Sequence, residues 1–171
     1  MSNEFKKDEK RLELVKLNES AMTAIGVATA AATATGAVPI PFADAPLLVT
    51  EQVALMATIC GIYGLKTKKE TLTMLVSAVI GAGSSTIVGK TLFTNLCKLI
   101  PFAGGVVGGA LSAGTAGVVT YAVGCSFNNI CQMIKIGKLS EDDLSSDKVK
   151  DLMTEEFKKF AKKKTDEDKK E

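Results

Sequence analysis

The chain has 171 residues, 40 of them charged, a formal net charge of +2, four cysteines, and no histidine or tryptophan. A near-neutral balance with both signs mixed excludes the clustered positive surface that nucleic-acid binding needs. Without histidine, a zinc site would need all four thiolates together and no catalytic triad can be assembled, so no metal, no cofactor and no enzyme activity are expected.

The charge is segregated. Nine charged residues lie in positions 1–17 and 21 in positions 138–171, leaving ten among the 120 residues between. The sequence therefore divides into a charged helical lead (1–17), an Ala/Gly-rich apolar helical domain (18–137) and a charged amphipathic tail (138–171). The first seventeen residues do not resemble a cleavable signal, which predicts a protein kept on the cytoplasmic side.

In chain order, Leu14, Leu17, Ala21, Ala24, Ile25 and Ala28 recur at steps of three and four, which predicts a helix reaching about Gly36. Glycine and then Pro39 and Pro41 stop it. A second helix follows "IPFADAP", with Asp44 as its N-cap and Pro46 in its first turn, where the missing N–H does no harm. It runs through Gln52, Met56 and Tyr63 to about Gly64. A third helix is predicted over roughly Lys69–Lys98, broken by a second "IPFA" at Ile100–Ala103. A fourth carries the uncharged run through "VVGGALSAGTAGVVTYAVG" to Ile134. The two IPFA copies stand 60 residues apart, with Pro41 matching Pro101 and Gly64 matching Gly124. This reads as an all-α fold of two pseudo-repeated helical hairpins, each IPFA forming a turn.

In the tail, Ser140 and Asp143 have the spacing of a capping box. Val149, Met153, Phe157 and Phe160 then line one face of an amphipathic helix, free to cover the bundle, lie on a membrane or bind a partner. Gln52, Tyr63, Thr120, Tyr121, Asn128 and Asn129 are polar positions in apolar helices, where hydrogen bonding across a helix interface is expected.

The apolar middle raises the question of a membrane. Thr71–Gly89 has 19 uncharged residues, near the roughly 20 needed to cross a bilayer. The strong apolar side chains of Ala103–Cys125 sum to about −2 to −4 kcal/mol for insertion, opposed by many glycines and hydroxyls. Small residues four apart, Gly81/Ser85/Gly89, Gly104/Gly108, Gly105/Gly109 and Ala113/Gly117, favour close helix packing in lipid or in a tight soluble bundle. Two hairpins would put the N-terminus, Lys66–Glu70 and the tail on one side, in the positive-inside sense. The segment "GSSTIVGKT" fails as a P-loop, because Ser84 stands where the pattern needs glycine.

Two stretches, "VPIPFADAPLLVTEQVALMATICGIYG" and "LIPFAGGVVGGALSAGTAGVVTYAVG", resemble domain of unknown function 697. This is a YcjF-like bacterial helical family often found C-terminal to Era-like GTPase domains. The resemblance covers roughly residues 20–137 and implies a helical, membrane-associated domain working beside a GTPase. This sequence contains no G-domain, so such a GTPase would be a separate chain. The expected function is a non-enzymatic, membrane-associated adaptor or assembly module, self-associating or bound to a protein partner, on the cytoplasmic face of a bacterial inner membrane. An oligomeric membrane pore and a soluble cytoplasmic bundle that binds an apolar ligand or acts as a scaffold are the alternatives.

Overall fold

The computed structural model describes residues 2–35, 40–41, 45–80, 106–107, 110–111, 113–168 and 170. The fold is all-α. Five helices occur among the described residues: α1 (Ser2–Thr35), α2 (Ala45–Tyr63), α3 (Lys69–Ile80), α4 (Ala113–Lys135) and α5 (Asp147–Asp168). Three two-residue strands, β1 (Ile40–Pro41), β2 (Val106–Val107) and β3 (Ala110–Leu111), pair antiparallel in the order β1-β3-β2.

α4 is the axis of the bundle. It packs along α1 on one side and α5 on another, and α2 also lies against it; α3 bridges α2 and α5. Its residues 116–120 and 122–128 are all buried. A helix surrounded in this way must be uncharged throughout, and Lys135, in its last turn, is its only charged residue. The partners are amphipathic. α1 buries Ala21, Ile25 and Ala32, with Leu14, Leu17 and Ala28 packed at the margin, as the three-four spacing predicts. α3 buries Leu72, Leu75, Val76, Val79 and Ile80.

Two helices stop by the same device. After α2, Gly64 adopts φ 70°, and the Leu65 amide donates to Cys60 carbonyl at 2.9 Å. After α4, Gly137 adopts φ 76°, and the Lys138 amide donates to Met133 carbonyl at 2.8 Å. Both are Schellman endings, in which a left-handed residue lets the chain satisfy the last carbonyls, and glycine takes that conformation without a Cβ clash.

The repeat does not carry through to equivalent roles. Gly64 ends a helix, whereas its match Gly124 lies in the middle of α4. A Cβ built on Gly124 would meet Ile25 Cγ1 at 2.7 Å and Leu55 Cδ2 at 3.2 Å. Close approach of three helices, not termination, requires glycine there. The fourth helix also starts later than expected. Val106–Val107 and Ala110–Leu111 pair as strands, Val106 opposite Leu111, before α4 begins at Ala113. Glycine is a poor helix former, and the β-branched pair Val106–Val107 favours a strand.

Ile40–Pro41 lies between α1 and α2, paired with Ala110–Leu111. The second IPFA, including Pro101, lies outside the described residues. So do Pro39, Asp44 and the part of the predicted third helix beyond Ile80.

The connection from α4 to α5 is built locally. The Ser140 amide and hydroxyl both donate to Asp143 Oδ2, at 2.8 and 2.9 Å, and the Asp143 amide donates back to Ser140 Oγ at 3.3 Å. This reciprocal pair opens a 3-10 turn, Asp142–Ser145, rather than α5 itself. Ser146 Oγ accepts from the Val149 amide at 3.3 Å and caps α5. Bonds to Ser140 hold the Asp143 carboxyl below its ordinary range, the backbone amide first.

Candidate functional site: a buried polar ladder and a charge-poor face

Polar side chains on α4 reach each neighbouring helix. Gln52 Nε2 donates to Thr120 Oγ1 at 3.0 Å, tying α2 to α4. One level down, the Tyr63 hydroxyl donates to Asn128 Oδ1 at 2.7 Å, and Asn128 Nδ2 donates to Asn18 Oδ1 at 2.7 Å. Gln132 Nε2 donates to the same Asn18 oxygen at 3.0 Å. On the opposite side Asn129 Nδ2 donates to Glu156 Oε2 of α5 at 2.9 Å. Each bond satisfies a group whose burial alone would cost about 1–3 kcal/mol. Together they set the axial register of α1, α2 and α5 against α4.

Gln52, Met56 and Tyr63 are therefore core residues, each 2 % exposed or less. Burial pushes the Tyr63 phenol up to about 12. Val149, Met153 and Phe157 are fully buried as well, and Phe160 lies edge-on to Tyr121, ring centroids 6.4 Å apart. The expectation that these apolar positions on α5 recruit a partner is corrected. They are consumed in covering α4, because the bundle would otherwise leave that side of a nearly uncharged, largely apolar helix in water.

The described thiols, Cys60, Cys125 and Cys131, are buried and unbridged. Cys60 of α2 and Cys131 of α4 share a sulfur hydrogen bond. That bond lowers the Cys60 thiol and raises that of Cys131, whose burial raises it further. Burial pushes Cys125 up to about 11. Burial likewise pushes the Tyr121 phenol up to about 12, and Lys164 Nζ sits 5.9 Å from its ring centroid. Among the described residues no cluster of three or more acids and cysteines could hold a metal ion. The arrangement offers mostly neutral donors and acceptors bonded to one another, with Gln52 Oε1 left as a buried acceptor without a partner among the described residues.

The small-residue positions divide. Gly117 lies in α4 against α1, where an added Cβ would collide with Thr33 Oγ1 and come within 3.9 Å of Thr29 Cγ2. Gly81, Ser85, Gly89, Gly104, Gly105, Gly108 and Gly109 fall outside the described residues. Asn18, not singled out from sequence, matters as much, since it accepts two bonds from α4; so does Gly124, read from sequence only as the repeat match of Gly64. Asn18 sits between Leu17 and Ala21 on the apolar stripe of α1, and a polar residue there is the signal that marks it.

The outer surface is strongly unequal. On one side α5 presents fourteen charged residues in 22. On another, the outward positions of α1 and α2 include Val27, which is 68 % exposed, with Gly26, Ala30, Ala31, Ala54, Ala57 and Thr58. Between Ser20 and Tyr63 the sequence has only two charged residues, Asp44 and Glu51. The base of the bundle is charged, since Lys135 pairs with Glu13 at 3.2 Å and the Lys66 amide donates to Glu141 at 2.9 Å.

Over residues 2–160 the chain matches the family model described as Domain of unknown function (DUF697). The chain belongs to this family. The match takes in α1 and continues through α5 to Phe160, beyond the two apolar stretches that carry the sequence resemblance. No curated protein and no solved structure matches the chain. Membership in the DUF697 family carries no activity, so function is argued from the surface just described.

Proposed function

We propose that this protein is a non-enzymatic adaptor or assembly module that lies against a membrane on its cytoplasmic face and works beside a separate GTPase. The observation that carries the membrane part is the unequal surface. The exposed sides of α1 beyond Ser20 and of α2 are small, apolar or hydroxyl-bearing, with Glu51 as the one charge in the helical segments. Such a face loses little solvation at a lipid headgroup boundary, while the charged base and α5 stay in water. No helix among the described residues is long and apolar enough to cross a bilayer, which favours a face-on contact over a span for this part of the chain. The GTPase part rests on the family resemblance.

Membrane association is tested by expressing the protein without detergent, fractionating the cells and washing the membranes with alkaline carbonate. Retention in the washed pellet is the expected result. Adding a negative charge to the outward face, as in Ala54→Glu, should weaken retention while leaving the core untouched. A protein soluble from the outset would favour the scaffold reading. The buried polar ladder supports that reading, since a water-soluble bundle uses such bonds for register. A GTPase should co-purify with the tagged protein, and repeated purifications without one count against that partnership.

A further inference from the structure

We propose that two copies of this chain pair through α1, antiparallel, along the stripe Phe5, Leu12, Val15 and Met22. This inference concerns the charged N-terminal half of α1, meets the charge-poor face only at Met22, and does not depend on membrane binding.

The stripe is unpartnered. Phe5 is 68 % exposed, Leu12 57 %, Val15 46 % and Met22 36 %. The four lie at steps of seven, three and seven, the spacing of one coiled-coil seam. The core-packed residues Leu17, Ala21 and Ile25 lie across the helix from Phe5 and Leu12, while Met22, one turn after Asn18, forms the edge of the stripe nearest α4. The first turns also have little tertiary support. Every residue from Phe5 to Glu13 is exposed, and Glu13 meets Lys135 in the last turn of α4. A helical segment this short is marginal in water without a packed face, and large apolar residues along it are what a partner helix would cover.

Charge chooses both the occupant and the direction. In an antiparallel pair about a twofold axis between residues 13 and 14, Phe5 meets Met22 of the second copy and Leu12 meets its Val15, each twice. The flanking positions then bring Glu9 beside Lys16, again twice, so the surface complements itself. Asp8 and Glu19 also face each other across the seam. This is a cost, moderated by Arg11 and Lys16, each one turn from an acid on its own helix. A parallel pair would instead set Asp8 against Asp8, Glu19 against Glu19 and Arg11 beside Lys16, all like charges. The overlap spans about 27 Å of helix. Four apolar side chains per copy place it among small interfaces, below about 1,200 Å², where association depends on concentration.

The test is sedimentation equilibrium of the full chain across a wide concentration range, for the native protein and three variants. The native protein should show a monomer–dimer equilibrium. Leu12→Asp should abolish the dimer and leave the thermal midpoint of the bundle unchanged, because Leu12 is 57 % exposed and lies outside the core cluster. Glu9→Lys should weaken dimerisation about fivefold by facing Lys16, and the double variant Glu9→Lys/Lys16→Glu should restore it. A native protein that stays monomeric at every concentration overturns the proposal. So does a dimer indifferent to Leu12→Asp, and a dimer strengthened by Glu9→Lys overturns the antiparallel direction.

Discussion

Helices α4 and α5 have 23 and 22 residues and pack along one another, yet they are made of opposite materials. α4 carries one charged residue and is buried nearly all round. α5 carries fourteen and buries a single stripe, Val149, Met153, Phe157 and Ala161. The stripe docks α5 because its charged positions, apart from Glu156 bonded to Asn129, point away and stay hydrated. α4 has no such freedom. Every position must fit a neighbour, so it uses glycine where backbones approach and neutral polar groups where a bond is waiting. One helix is specified by pattern and the other by contact.

The largest way to test that contrast is to remove the α5 anchor. Phe157→Ala leaves a cavity between α5 and the core, and is expected to destabilise the fold by about 3–5 kcal/mol, read as a lower midpoint in urea unfolding. Next comes overpacking of the central helix. Gly124→Val places methyl groups against Ile25 and Leu55 and should cost about 1–3 kcal/mol, whereas an exposed glycine on α2 such as Gly61, whose Cβ would meet nothing within 4 Å, should tolerate alanine.

The polar ladder gives a pH signature of similar or smaller size. Tyr63 has its phenol raised from 10.0 to about 12 by burial, so the folded state prefers the neutral form. Its stabilisation is fully present below pH 10 and is lost as pH rises from 10 toward 12, by about 2 kcal/mol. Tyr121, raised to the same value, loses stability in the same window. Tyr63→Phe should flatten part of the alkaline decline in a series of unfolding curves, and a decline unchanged in slope would remove Tyr63 from the account.

The smallest effect is expected on the solvent side of α5. Lys159 pairs with Glu156 at 2.7 Å, but its side chain is 68 % exposed, and Lys159→Ala should change stability by less than about 0.5 kcal/mol. Glu156 is held below its ordinary 4.5 by Lys159 first and then Asn129. Its contribution is present above that pH and fades as pH falls, and the variant should lessen that acid loss without abolishing it.

Much of this was legible from residue order. The buried stripe of α1, the amphipathic face of α5, the ending of α2 at Gly64 and the Ser140–Asp143 pair all follow from spacings of three or four residues. Local chemistry suffices for them. The polar positions of α2 and α4 were visible as candidates for cross-helix bonding, but not which one met which. Asn18 carries a signal, a polar residue on the apolar stripe of α1, but its partners Asn128 and Gln132 lie more than a hundred residues along the chain.

What order alone could not supply is where helices meet. The same glycine ends α2 at position 64 and admits Ile25 and Leu55 at position 124, and the two are indistinguishable in a repeat alignment. Val106–Leu111 reads as the start of a helix until strand pairing with Ile40–Pro41 claims part of it. Val149, Met153 and Phe157 look equally ready for a partner or a core, and only the presence of α4 beside them decides. Hydrophobic period and capping are properties of neighbours in sequence, set by backbone geometry. Close approach, pairing and burial depend on residues far apart in the chain, whose proximity exists only once the bundle has formed.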